Sequence, residues 1–245
     1  QADIKAVTML GGFAATAVTA ITVQNTLGVH GVHPLPLELI EQQADAVLCD
    51  IGADAIKTGM LGSVEVVERV AAILERAGVP ALVDPVMVAK GGQALLANEA
   101  VSAVRERMIP LAALLTPNAP EAEALTGLEV RDLDGQRRAG ERLLELGART
   151  VLMKGGHVGG DTVIDLLLTP SGETVLEGER VETRHTHGTG CTLASACAAG
   201  LALGKPLEIA VAEAWAYVAE AIRRAPGLGA GHGPLDHGWP VRGER

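Results

Sequence analysis

"AALLTPNAPEAEALTG", residues 112 to 127, changes character in its middle. The apolar run from Ala112 has the composition of a buried strand, and Pro117 disfavours the helical region for Thr116, so the strand breaks into a loop there. The loop leads into a helix, and this strand-to-helix junction carries Asn118 and Glu121 at N-x-x-E spacing. "PALVDPVMV" (80 to 88) repeats the pattern and breaks at Asp84-Pro85.

Working outward, strands alternate with helices, which implies parallel strands joined by crossover helices. "SVEVVERVAAILERAG" has Ser63 as N-cap, an apolar stripe through Val67, Val70, Leu74 and Ala77, and a stop at Gly78. "PLELIEQQADAVLCDIG" (36 to 52) and "QRRAGERLLELGA" (136 to 148) are helical. "AIKTGML" (55 to 61) and "TVLMKGG" (150 to 156) are short strands. "FAATAVTAITVQN" (13 to 25) is a β-branched run and is expected to be a strand. Residues 161 to 178 predict a hairpin turning at Pro170-Ser171-Gly172. The last long helix, about 206 to 225, aligns Leu207, Val211, Trp215, Val218 and Ile222 as its packing face.

Polar and glycine-rich residues collect just past the strand ends: Gln24-Asn25, Gly59-Met60, Asp84-Pro85, Asn118 and Lys154-Gly155-Gly156. In an open α/β sheet those ends lie along one edge, where ligands bind, so one site along one rim is expected.

At 245 residues and 48% hydrophobic content, the chain is expected to form one domain spanning 1–245; no repeat or low-complexity seam divides it. Its net charge of −10 argues against nucleic-acid and anionic-membrane partners, which reward a basic face. No apolar run reaches about 18 residues, and a cytoplasmic location is expected. Three cysteines, Cys49, Cys191 and Cys197, suit reduced thiols.

"HTHGTGCTLASA", residues 185 to 196, carries the sharpest chemistry. Gly188-Thr189-Gly190-Cys191 precede a helix-forming segment that ends at Gly204. Successive backbone N–H groups in such a turn converge, and the helix dipole adds positive charge, which makes an anion hole. Cys191 in the first turn would have its thiolate stabilised and could serve as general base toward a hydroxyl. A tight turn with a small buried cysteine is the alternative.

Asn118 and Glu121 can hold hydrated Mg²⁺, or simply cap a helix. Lys154 can neutralise a transferring phosphoryl group, or be a surface charge. Asp84 offers a further carboxylate, or a turn-initiating side chain. All fall on the expected rim and together read as phosphoryl transfer. There is no G-x-x-x-x-G-K-[ST] loop, and "GLGAGHG" (227 to 233) follows a helix, which disfavours a dinucleotide site. His30 with His33, and His185 with His187, lack neighbouring ligands at metal spacing and are read as loop or strand histidines.

"QADIKAVTMLG", "VTAITVQNT", "KTGML", "DPVMVAKGG", "TPNAPEAEALTG", "LMKGGH", "HTHGTGCTLASA" and "GHGPLDH" occur in the order seen in the hydroxymethylpyrimidine and phosphomethylpyrimidine kinases of thiamin biosynthesis, which the chain therefore resembles. These belong to the ribokinase-like superfamily, and the resemblance covers essentially the whole chain. The H-G-T-G-C block is its most specific part, because most ribokinase relatives carry aspartate where this subgroup has cysteine.

The resemblance implies a three-layer α/β/α fold with a mostly parallel central sheet. It also implies ATP with Mg²⁺, a homodimer, and two phosphorylations, of the hydroxymethyl group and then of the monophosphate. It gives Gln24 the aminopyrimidine, Met60 and Val86 the ring faces, and Gly188, Thr189, Gly190 and Cys191 the anion hole, with Cys191 as base. Asn118 and Glu121 match the metal and phosphate motif, and Lys154 the lysine near the ATP phosphates; outside the resemblance, Asp84 is a further candidate metal ligand beside Glu121.

Two departures stand out. A block of the form A-G-S-D-x-x-G-G-A-G is expected ahead of "QADIK", and His185 replaces a usual asparagine. A pyridoxal kinase is the runner-up, and a non-catalytic pyrimidine-phosphate sensor is the reading from another class. "VAKGGQALL" (88 to 96) is a candidate lid.

Overall fold

A computed structural model describes residues 1–87 and 98–242. The lid candidate lies outside the described residues. In chain order the elements begin with α1 (Ala2–Met9), β1 (Ala20–Asn25), β2 (Gly28–Pro34), α2 (Leu37–Asp50), β3 (Ile56–Thr58) and α3 (Val64–Ala77). Then come β4 (Ala81–Val83), α4 (Asn98–Ala103), β5 (Ala112–Leu115), α5 (Ala119–Thr126), α6 (Leu133–Glu145) and β6 (Val151–Met153). The chain continues through β7 (Thr162–Thr169), β8 (Gly172–Glu179), α7 (Thr189–Ala202), α8 (Leu207–Arg223) and α9 (Trp239–Arg242). Two compact units result: residues 1–57 with 181–242, and residues 58–87 with 98–180.

The expected α/β class holds. A six-stranded sheet is ordered β3-β4-β5-β6-β7-β8, with β4, β5 and β6 parallel and the β7–β8 hairpin antiparallel. Leu82, Leu114, Leu115, Val151, Leu152 and Met153 are buried to within 2%. Such continuous apolar runs are what strands covered on both faces require.

α3 forms as the sequence dictates. Ser63 accepts from the Val66 amide, and Gly78 closes the helix at φ +64°. Its buried residues, among them Val67, Val70 and Leu74, contribute about 1.5–3 kcal/mol each. α6 is capped by Asp132, which accepts from Gly135 N, and it seats closely on β7: a Cβ at Gly140 would lie 2.5 Å from Leu168 Cδ1.

In the first unit, two expectations are corrected. Residues 13–19 are not strand; β1 starts at Ala20 and pairs antiparallel with β2 in a separate two-stranded sheet. The reason is Asn25, whose side chain accepts from Leu27 N and Gly28 N and folds the chain back on itself before any crossover helix can form. The packing face of α8 is also displaced. Ala210, Val211, Ala214, Tyr217, Val218 and Ala221 are buried, while Leu207, Trp215 and Ile222 are only partly covered. Small residues win this face because α7 approaches closely: a Cβ at Gly200 would lie 2.7 Å from Ala210 Cβ.

"GLGAGHG" forms no strand-turn-helix unit. Its glycines let the chain cross the hairpin turn, where His232 N donates to Thr26 O at 2.7 Å and a Cβ at Gly231 would meet that oxygen at 2.1 Å.

Candidate active site

In the second unit, three parallel strands deliver charged groups to one edge. Asp84 follows β4, Thr116 to Asn118 follow β5 and Lys154 follows β6. Lys154 N donates to Pro117 O at 2.9 Å, which ties the ends of β5 and β6 together.

The side chains converge there. Lys154 Nζ donates to Asp84 Oδ1 at 2.9 Å and lies 3.6 Å from Glu121 Oε2; the three side chains are 12%, 2% and 7% exposed. Thr116 Oγ1 donates to the same Asp84 oxygen at 3.2 Å. Lys154 is therefore an element of a buried cluster and not a surface charge.

Asn118 and Glu121 make a reciprocal capping box on α5. Asn118 Oδ1 accepts from Glu121 N at 3.0 Å, and Glu121 Oε2 accepts from Asn118 N at 2.8 Å. The helix-cap alternative is thus realised, and it delivers the Glu121 carboxylate to Lys154. Burial pushes the Glu121 pKa up and the Asp84 charge adds to it, partly offset by Lys154 and the Asn118 amide.

The group sets two carboxyls against one ammonium. An all-oxygen pair suits Mg²⁺, which is held by one or two carboxylates and completes its shell with phosphates and water. Among the described residues no group of three or more His, Cys, Asp or Glu gathers to hold a metal alone. The fit is to a cation that arrives with phosphate.

The glycine that follows Lys154 is structurally required. Gly155 N donates to the buried Asp165 Oδ1 at 2.7 Å, and a Cβ there would stand 1.9 Å from Ile164 O. The succeeding loop is clamped by Arg180, which donates to the carbonyls of Gly156, Val158 and Gly160. Near Asp84, Val86 lines a small cavity with Thr58, Gly59, Pro85 and Met108; Met60 is half-buried.

In the first unit, α7 starts at Thr189 with Gly188 as N-cap at φ +84°. Glycine offers the first-turn amides no side-chain acceptor, unlike the caps of α3, α5 and α6, and Thr189 N makes only a long bond to Thr186 O at 3.4 Å. Cys191 lies in this turn and is half-buried. Thr189 Oγ1 donates to Thr186 O at 2.9 Å.

Gln24 is exposed on β1 at a bulge in its pairing with β2, where the strand re-aims its side chains. His185 is half-buried, and its Nδ1 has no hydrogen-bond partner among the described residues.

Sequence reasoning missed four contributors: Thr116, Asp165, Arg180 and the buried His237. Asp165 is a polar residue within the apolar run of β7 and Thr116 ends the apolar run of β5, and those interruptions are the signal that finds them.

A family model described as phosphomethylpyrimidine kinase matches residues 1–236. The chain is 49% identical over 241 residues to a hydroxymethylpyrimidine/phosphomethylpyrimidine kinase of Streptomyces coelicolor, covering 98% of this chain and 89% of that protein. It superposes on an ADP complex of Bacillus subtilis pyridoxal kinase with a TM-score of 0.92 at 34% identity, over 99% of this chain and 92% of that one. A phosphomethylpyrimidine kinase structure from Clostridium difficile 630 matches with a TM-score of 0.81 at 39% identity, over 90% and 91% of the respective chains.

Proposed function

The chain belongs to the phosphomethylpyrimidine kinase family and is an ATP-using phosphotransferase, and on that footing we propose that it phosphorylates 4-amino-5-hydroxymethyl-2-methylpyrimidine and then its monophosphate. The observation that supports this reading is the Asp84–Lys154–Glu121 cluster at the ends of parallel strands, whose charges suit phosphate and a divalent cation.

The substrate hydroxyl attacks the γ-phosphorus of ATP. The new O–P bond forms as the bond to ADP breaks, and Cys191, as thiolate, takes the hydroxyl proton. The first-turn amides of α7 receive charge on the migrating phosphoryl group. Lys154 neutralises phosphate oxygens once they draw it from Asp84. Asp84 and Glu121 would hold Mg²⁺, which would supply positive charge to the phosphates when bound. Gln24 recognises the aminopyrimidine, since an amide can donate to a ring nitrogen and accept from the exocyclic amine. Met60 and Val86 supply the ring faces.

The reading extends to a cytoplasmic homodimer. No helix among the described residues is long and apolar enough to cross a membrane. Ile21, Val23 and Val32 leave apolar surface on the β1–β2 hairpin for a second copy, and light scattering tests this.

A coupled assay of ADP release with the hydroxymethylpyrimidine, its monophosphate and pyridoxal tests the substrate. Turnover of the first two is expected. Turnover of pyridoxal alone refutes the assignment, and tight pyrimidine binding without ATP consumption would make the protein a sensor.

A further inference from the structure

We propose that Thr192 and His237 are positioning residues for the glycine turn, holding the Gly188 carbonyl, and with it the first-turn amides of α7, in the orientation that a phosphoryl group needs. The inference rests on the anion-binding reading of residues 188–191.

Gly188 sits in the left-handed region, from which its peptide planes can turn more freely than those of any other residue. Its carbonyl is held twice: Thr192 N donates to it at 2.8 Å and Thr192 Oγ1 at 2.7 Å. Fixing that oxygen fixes the plane that carries the Thr189 N–H, which makes a long bond to Thr186 O at 3.4 Å, and sets the helix start behind it.

A threonine that back-bonds to the carbonyl four residues earlier does not need a second partner. Thr192 has one: its Oγ1 lies 2.9 Å from His237 Nε2, a residue 45 positions away. A hydroxyl carries one proton, so in the tautomer that carries Nε2–H the imidazole donates to the hydroxyl oxygen while Thr192 gives its own proton to Gly188 O. Both side chains are buried, Thr192 completely and His237 to 6% exposure. Burying two polar groups is costly unless they are paired, and apolar residues would fill the same volume without that cost.

The backbone that carries the imidazole is itself anchored. Tyr217 OH donates to His237 O at 2.7 Å, Asp236 N donates to Ala221 O at 3.0 Å, and His187 N donates to Gly233 O at 3.0 Å. Burial first, and the charge of Lys5 next, hold the His237 pKa below the ordinary histidine value, so the ring acts as a neutral strut at neutral pH. The turn is thereby referred to α8, a long helix, through Thr192, His237 and Tyr217.

Thr192→Val removes the hydroxyl, and Thr192→Ser restores it without the methyl group. Three quantities are measured on the full chain: the kcat and pyrimidine KM, the Kd of Mg-bound AMP-PCP by calorimetry, and the alkylation rate of Cys191 by iodoacetamide. The last is followed on its own peptide by mass spectrometry, so that Cys49 and Cys197 do not interfere. Thr192→Val is expected to lower kcat about 10- to 100-fold and to weaken AMP-PCP about tenfold, with pyrimidine KM within about twofold, the size of effect that a small misplacement produces. Cys191 alkylation should slow, and Thr192→Ser should recover all three to within about threefold.

A Thr192→Val protein with a lowered Tm but unchanged kcat and AMP-PCP affinity overturns the proposal, as does a serine variant that loses as much as valine. If the valine variant does not fold, His237→Gln is put to the same measurements and the same outcomes decide. Should Cys191→Ala keep full turnover, the base assignment fails, while the AMP-PCP affinity of Thr192→Val still decides the positioning role.

Discussion

Replacing Lys154 by Met removes the cation that bridges Asp84 and Glu121 while keeping most of the side chain's bulk. Nζ lies 2.9 Å from one acid and 3.6 Å from the other, and those acids are 2% and 7% exposed, so the variant confronts two carboxylates with little water between them. Breaking a buried pair by deleting one partner costs about 3–5 kcal/mol. The Thr116 hydroxyl and Asn118 amide still solvate the acids, which sets the expectation at the low end, about 3 kcal/mol at neutral pH. For a chain of this size that is roughly 6–12 °C in Tm.

The pH dependence identifies the cause. Burial has already raised the Glu121 pKa, and Lys154 is the main influence holding it down. A carboxyl whose folded pKa exceeds its unfolded value favours the fold at low pH and loses that contribution as pH rises through the folded value. Deleting Lys154 raises the folded value further. The variant's deficit should therefore be small near the ordinary glutamate pKa of about 4.3 and grow toward neutrality. Thermal unfolding followed by circular dichroism at both pH values reads this, and Lys154→Met/Asp84→Asn should recover more than half of the loss. A Tm within about 2 °C of wild type at neutral pH, or a deficit that ignores pH, refutes the reasoning.

Cys191→Ala is expected to lower kcat by about 10² to 10⁴ in the coupled assay, the usual range for losing a general base, with Cys191→Asp retaining part of the activity. Gln24→Leu should weaken the pyrimidine while leaving ATP affinity near wild type, as calorimetry on both ligands would show. Tyr217 is the chain's single tyrosine, so phenolate absorbance reports on it alone; burial and the Asp236 charge push its pKa to about 12. Stability from this group is present below the free phenol value of about 10 and lost as pH climbs through 12, so the absorbance should rise late and together with alkaline unfolding. Tyr217→Phe leaves His237 O without its donor and should cost about 1–3 kcal/mol in urea unfolding.

Local rules made much of this fold legible. Ser63 and Gly78 bound α3 because capping is decided within one turn, and Pro85 and Pro117 mark strand ends through the conformation of the preceding residue. The Asp84, Asn118, Glu121 and Lys154 set was legible because parallel strands end on one edge. What escaped was decided at a distance. The face of α8 depends on how closely Gly200 lets α7 approach, and no periodicity within α8 reports that. The β1–β2 hairpin depends on one Asn25 side chain, whose turn-forming role a β-branched run conceals. His237 could not be assigned a role, since its partner is 45 residues away.

That separation bears on synthesis as well as on chemistry. When a ribosome has just released α7, the strut behind Gly188 has not yet been made: Thr192 lacks His237, His187 lacks the Gly233 carbonyl, and the hairpin turn at Thr26 lacks its bond from His232. The nascent polypeptide can gather its strands early, but the phosphate turn awaits residues 232–237, so a premature stop codon just after α8 would yield a chain with most of its core and an unbraced turn.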